Sequence, residues 1–336
     1  MVERFLSTFR PSRFPLLTRP SYRRELTAAA SLPATVGLVE SGIAGVLAAK
    51  VFDVTGMLLA VIVAAPMFGN LTSFFWARLA RGRSKIRVIT ALQVILLLTV
   101  ASIAMFPRTP AGAAGLAGAV IVARCLLSGI ITVRSAVWRM NYPRHIRARI
   151  TSRLALVGML WVAIMPLAVG PLLDWDPTNF RIIYPLGAMI GIVGVVNYSR
   201  IRMRGDGAVF YEYDPADRRP SPLAVLRAGP TFRRYLMCQF CAGVSNMMME
   251  PPVVALVSDR LNASNTVSML LTAGVPMMMV MVTLPFWAHL LDRMHIVRFR
   301  VRQSWLWVIS QAITWAGAMT AMVWWPRTVP RQLACR

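Results

Sequence analysis

The chain has 336 residues, of which 57% are hydrophobic and only 15% charged, with a formal net charge of +24. A soluble domain carries nearer a quarter charged residues, so this composition excludes an ordinary globular protein. The basic residues sit in short gaps between long apolar runs and form no continuous basic face, which excludes a nucleic-acid partner.

Residues 1–26 are basic and lack a continuous apolar core, so they read as a cytoplasmic arm resting on anionic lipid headgroups rather than a cleaved signal peptide. Nine apolar runs follow, each about 20 residues and long enough to cross a bilayer as a helix. They cover 27–49, 54–77, 88–106, 110–133, 154–173, 182–199, 235–257, 267–290 and 303–325. Lipid cannot satisfy an exposed strand edge, and the runs lack the alternating pattern of a barrel strand, so the fold class is all-α and polytopic. Between the sixth and seventh runs, 200–234 is rich in Gly, Pro and charge, with Gly205-Asp206-Gly207 and Arg219-Pro220-Ser221-Pro222. That composition suits a linker. Residues 326–336 form a polar, basic tail.

Lys and Arg in the connecting segments fall in alternation. The arm and every second connection hold 29, from Arg4 to Arg302, whereas the intervening loops hold only Lys50, Arg108, Arg181 and Arg260. The arginine-rich side is cytoplasmic by the positive-inside rule, which places the N-terminus inside and the chain in a cell (inner) membrane.

The chain also repeats itself about 210 positions apart. Arg23-Arg24-Glu25-Leu26 leads into the run containing Glu40, and Arg233-Arg234-Tyr235-Leu236 leads into the run containing Glu250 at the same offset. Phe75-Trp76-Ala77 recurs as Phe286-Trp287-Ala288, and Lys50 matches Arg260. So long a unit suits two parallel membrane halves rather than a solenoid. The organisation is then 27–199 as a six-helix bundle, 200–234 as a cytoplasmic linker and 235–325 as three helices of a second bundle.

Six spans, a cytoplasmic linker and a repeat of the first spans resemble the major facilitator superfamily of secondary transporters. The loop after the second span carries the family's basic turn as Arg78-Leu79-Ala80-Arg81-Gly82-Arg83, preceded by Gly69, with Ala80 near the usual aspartate. The repeat carries Asp292-Arg293 without the glycine. The resemblance implies a cytoplasmic latch made by Gly69, Arg78, Arg81, Gly82, Arg83, Asp292 and Arg293, although arginines there also serve simply to set topology. Arg124, followed by Gly129, is similar to the family's fourth-helix arginine motif, and Gly170-Pro171 weakly resembles its antiporter motif. The family has twelve spans, so nine imply a truncated product that lacks part of the cavity wall.

Ionisable residues inside a membrane are costly and face a partner or a water-filled cavity. In the family fold the first and fourth helices line the central cavity, so a Glu40–Arg124 pair is expected. Glu250 precedes Pro251-Pro252, which should bend or unwind the seventh span and expose carbonyls beside the carboxylate. Asn246, one turn earlier, joins the candidates. The alternative is that each carboxylate only locks helix packing. Gly187, Gly191 and Gly194 form a small-residue face. Cys238 and Cys241 read as core residues, because a lone pair falls short of a zinc site. No phosphate-cradling loop or nucleophile–base set occurs, so neither an enzyme nor a cofactor is expected.

The resemblance implies a monomeric transporter of a small solute, working by alternating access with protons as a candidate coupling ion. The alternative is a non-transporting remnant or membrane interaction module. Reporter fusions at Gly207 and Arg336 should report opposite compartments; the same compartment for both sinks the nine-span topology.

Overall fold

The computed structural model describes residues 11, 14–205, 229–261, 263–294 and 296–328, and among these the secondary structure is helical with no strand. Residues 1–10 of the arm, 206–228 of the linker and 329–336 of the tail lie outside the described residues. The first half comprises α1 (Arg19–Leu38), α2 (Ser41–Val51), α3 (Gly56–Val63), α4 (Ala65–Leu79), α5 (Lys85–Ser102), α6 (Pro110–Asn141), α7 (Arg144–Trp175) and α8 (Phe180–Ser199). The second comprises α9 (Pro230–Ala255), α10 (Asn265–Met269), α11 (Val275–Arg293) and α12 (Ile296–Thr328), with π-helical turns at Leu256–Arg260 and Leu270–Gly274.

Among the described residues seven helices are long and apolar enough to cross a membrane, or up to eight if the pair α3–α4 is one span. That pair bends by 47°, with Pro66 in the first turn of α4 supplying no backbone donor. The first eight expected spans fall on these helices. The ninth falls on α12, which is helical over 33 residues but is not one of the seven. Its apolar run is interrupted by Gln303, Ser304, Ser310, Gln311 and Thr314.

Helix α1 sits between α7 and α8, while α6 packs against α4 and α5. The glycines of α8 make the first of these contacts possible. A Cβ on Gly187 would lie 2.4 Å from Leu38 Cδ1, on Gly191 2.3 Å from Thr35 Oγ1, and on Gly194 2.7 Å from Ser31 Oγ. The Thr35 hydroxyl then donates to the Gly187 carbonyl at 2.7 Å. Small residues allow this approach where lipid supplies no hydrophobic drive between helices.

Two local expectations shift. Helix α9 continues through Pro251 and Pro252, and its irregularity comes just after, as the π turn in which the Leu261 amide donates to the Leu256 carbonyl at 2.9 Å. Proline removes a donor and crowds the carbonyl four residues back, so its effect falls on the turn before Pro251, where α9 stays helical, and not on the π turn beyond it. Cys238 and Cys241 are free and exposed, not core.

The segment read as an arm is also partly integral. Helix α1 starts at Arg19, eight residues before the expected span, and Phe14, Tyr22 and Glu25 are buried with Tyr142, Ile150 and Leu154. Glu25 is fully buried. Its carboxylate accepts from Trp138 Nε1 at 2.6 Å and from the Tyr142 hydroxyl at 3.1 Å, and Arg134 Nη2 stands 3.7 Å away. Arg134 also lies over the Trp138 ring, 4.7 Å from its centroid. Nearby, Asn141 Nδ2 donates to the Arg202 carbonyl at 3.2 Å and Asn141 Oδ1 accepts from the Arg204 amide at 3.0 Å. This end of the first half is thus joined by polar contacts from α1, α6 and the segment after α8.

Removing the acid from a buried, hydrogen-bonded pair leaves the cation uncompensated and typically costs about 3–5 kcal/mol. Glu25→Ala should therefore lower the melting temperature in detergent far more than Glu3→Ala. Equal melting temperatures for the two variants would show that the cluster contributes nothing to stability.

Candidate functional site

The expected Glu40–Arg124 pair forms. Arg124 Nη2 lies 3.1 Å from Glu40 Oε2, with the Arg124 side chain 8% and the Glu40 side chain 23% exposed. What places Glu40 there is a break that the sequence did not announce. Helix α1 ends at Leu38, and Glu40 takes an extended conformation (φ −64°, ψ 139°) as the N-cap of α2. The Glu40 amide still reaches the Gly37 carbonyl at 3.0 Å, and its own carbonyl accepts from Ala44 at 2.8 Å. Both backbone groups of Glu40 are thus paired across the break, as apolar surroundings require. The first amides of α2 lack acceptors within the helix, so a partial positive charge stands beside the carboxylate.

Gly69 belongs to this site geometrically. It lies in the middle of α4, and a Cβ there would come 2.6 Å from the Arg124 carbonyl oxygen. The absent side chain lets α4 close on α6 at the arginine. Gly129, one turn and a residue later on α6, makes room in the same way for the Trp76 ring, since a Cβ there would lie 2.8 Å from it.

Glu250 comes from the other half and faces the same space. A cavity of about 220 Å³ is lined by Glu40 and Gly42 from α2 and its cap, Met249, Glu250, Val253 and Val254 from α9, Leu271 to Ala273 from the second π turn, Pro276 and Met277 from α11, and Gln311 and Thr314 from α12. The two carboxylates that match in the sequence repeat therefore share one cavity. Gly42 is the close contact between halves: a Cβ would lie 2.7 Å from the Thr272 carbonyl oxygen, and the Thr272 hydroxyl donates to the Gly42 carbonyl at 3.3 Å. A second, more open groove of about 480 Å³ adjoins it, lined by Phe240, Cys241, Val244, Ser245 and Met248 and sharing Met249 and Gln311. The Asn246 side chain lies outside the described residues.

The five latch residues of the first half lie on α4 and in the turn after it. Arg78 lies over the Phe74 ring, 5.7 Å from its centroid, while Arg81 and Arg83 are exposed. Gly82 has φ +61°, a left-handed conformation that glycine adopts without strain. Lys85 Nζ donates to the carbonyls of Ala80 and Arg83, which closes the turn. The side chains of Asp292 and Arg293 lie outside the described residues.

A contact that sequence reasoning missed joins the halves at the arginine-poor end. Asp174, in the last turn of α7, accepts from the Asn265 amide at 2.6 Å and from the Thr266 amide and hydroxyl at 3.1 and 2.6 Å. It thereby caps the start of α10, where a carboxylate is favoured by the helix dipole. Gly170, one turn earlier, permits the approach, since a Cβ would lie 2.4 Å from Thr266 Cα. Lys50 Nζ donates to the Ala263 carbonyl alongside. Gly170-Pro171 and Lys50 were visible as features, but their partners lie 91 residues or more away in sequence. Among the described residues no group of His, Cys, Asp and Glu could hold a metal ion.

Each member of the Glu40–Arg124 pair compensates the other. Glu40→Gln and Arg124→Gln should each lower thermal stability in detergent, and the double variant should recover part of the combined loss, because residues in contact couple by about 0.5–3 kcal/mol. Additive losses would show that the pair carries no coupling energy in the membrane protein.

No family model matches the chain, and no curated protein matches it.

Proposed function

We propose that the protein is a secondary transporter of the major facilitator type, a monomer in a cell (inner) membrane with its N-terminus cytoplasmic, moving a small solute by alternating access with proton coupling. The observation that carries this reading is the shared cavity. Two carboxylates at equivalent repeat positions, Glu40 and Glu250, line one space between the halves, and a buried arginine stands beside one of them. Membrane carboxylates facing a cavity at a repeat interface are suited to binding a solute or a proton.

The break at Glu40 and the π turns after α9 and α10 support it further, because irregular backbone at membrane depth is tolerated where it is buried in protein or lines a cavity. The Asp174–Thr266 contact fits a closed gate at the arginine-poor end, which has to open if a solute is to cross. In this reading Glu250 is the proton carrier, and Arg124 holds Glu40 as its counter-charge.

The intact protein in liposomes should take up solute faster with a proton gradient than without one. Glu250→Gln should abolish that gradient-driven component and leave exchange at equal pH largely intact. If uptake per folded molecule keeps its normal rate and pH dependence in the variant, Glu250 is not the coupling residue. If the unmodified protein moves no solute under either condition, it acts in the membrane by some means other than transport.

A further inference from the structure

Burial in the second half is confined to one end. Among the described residues, every buried position from 229 onward lies between Val254 and Gly274, around the arginine-poor connection from α9 to α10. The part of α9 before Val254, α11 and α12 hold none. A helix that merely lacked neighbours would be exposed along its whole length. Instead α9 and the run from α10 into α11 are each buried beyond the cavity and exposed on its arginine-rich side, and the change occurs at the level of the cavity that Glu40 and Glu250 line.

The buried end is closed by backbone approach. Residues 163–174 of α7 run antiparallel to 265–274: Gly170 faces Thr266, and a Cβ on Gly274 would lie 3.3 Å from the Ala163 carbonyl oxygen. On α2, a Cβ on Gly45 would lie 3.4 Å from Val254 Cγ1, and Gly42 meets the Thr272 carbonyl. Asp174 stands at the outermost point of this seam. The first amides of α10 are answered from two sources. Ser264 Oγ accepts from the Val267 amide at 3.2 Å, whereas the Asn265 and Thr266 amides donate to Asp174. Ser264 belongs to the same segment and moves with it, but Asp174 belongs to the other half. Separating the halves at this end therefore breaks the Asp174 bonds and leaves the Ser264 bond in place. Asp174 is exposed, so water can take over the amides it releases.

We propose that the structure is the state closed at the arginine-poor end and open at the arginine-rich end, and that Asp174 is the latch of the closed end, a positioning residue whose carboxylate holds α10 of the second half to α7 of the first. This rests on the reading of the space between the halves as a path for solute, and it names the group that shuts one end of that path. A joint built to stay shut would bury its hydrogen bonds, as the Glu25 cluster does. The Asp174 bonds lie at an exposed position instead, above a seam sealed by glycines that hold nothing covalently or by charge.

Thiol labelling of the full chain in membrane vesicles of known orientation tests this, in a background with Cys125, Cys238, Cys241 and Cys335 replaced by serine. Leu271→Cys reports the cavity, and Ser268→Cys, a near-isosteric change at a fully buried position of the seam, reports opening of the far end. A membrane-impermeant maleimide should modify Leu271→Cys at least about tenfold faster from the arginine-rich side than from the other, as a population held mainly in one state requires. Modification of Ser268→Cys from the arginine-poor side needs the seam to part, so its rate follows the open fraction. Asp174→Ala should raise that rate about tenfold, the factor that one hydrogen bond to a charged group supplies. Asp174→Asn keeps a capping acceptor and should stay within about threefold of the unmodified rate. Gly170→Ala, whose methyl group would meet Thr266 Cα, should raise the rate with Asp174 intact. Faster modification of Leu271→Cys from the arginine-poor side overturns the assignment of the open end. A Ser268→Cys rate that neither Asp174→Ala nor Gly170→Ala changes overturns the latch, and Gly170→Ala decides it if Asp174→Ala does not fold. These rates are read without solute or gradient. Failed uptake with the expected rates would therefore sink transport alone, whereas normal uptake with unchanged rates would sink the latch alone.

Discussion

A charge inside a bilayer has no water to answer it, and the arrangement around Glu40 follows from that constraint. The break between α1 and α2 puts a carboxylate and a helix N-terminus in the interior of the first half. Arg124 meets it at 3.1 Å, and this requires α6 to present the arginine at that depth. Gly69 lets α4 close over the same point on α6, and Gly42 lets α2 close on Thr272 of the other half. Three helix contacts thus converge on one ion pair. A bulkier residue at Gly69 or Gly42 would meet backbone rather than a flexible side-chain end, so the strain would pass directly to the pair.

Three acids of the described residues differ in where they sit. Glu25 accepts from Trp138 and Tyr142 and faces Arg134 inside one half, with no exposed surface. A carboxylate so enclosed specifies one packing and gains little by changing partners. Glu40 and Glu250 instead line a cavity between halves, where a bound group or a movement of one half can alter their surroundings. The same chemistry is therefore enclosed in one half at Glu25 and faces a cavity between halves at the repeat-matched pair. Position relative to the interface between halves separates the two cases.

Much of this was legible because the bilayer leaves few choices. Span length and the need for helices follow from thickness and backbone hydrogen bonding, and the first eight runs fall on helices of the expected kind. The Glu40–Arg124 contact could be anticipated, since two opposite charges at similar depth have few other partners. The break at Glu40 was not legible, because no proline stands at it and Gly37 and Gly42 alone do not stop a helix. Glu25 was hidden for another reason: it follows a run of arginines, which reads as a solvated segment, and its partners are more than 100 residues away. Pro251-Pro252 suggested a bent or unwound span, but α9 runs helical through both prolines and the π turn lies beyond them.

The two ends of the interface between halves are built differently, and this bears on how such a protein could move. At the arginine-poor end, Asp174 binds two amides and a hydroxyl at the start of α10, and Gly170 lets the backbones come nearly into contact. These hydrogen bonds are short and directional, so a small rotation of one half breaks all three together. The freed groups lie at an exposed position, where water can replace each partner, so opening costs little net hydrogen bonding. Around the cavity the contacts are apolar, involve the Glu40–Arg124 pair or form the Thr272–Gly42 hydrogen bond, and water can replace them only if it enters the cavity. Breaking the Asp174 contact therefore costs less than separating Glu40 from Arg124, which would leave charge in the interior. The ion pair lies within the first half, whereas Glu40 and Glu250 line one cavity from different halves.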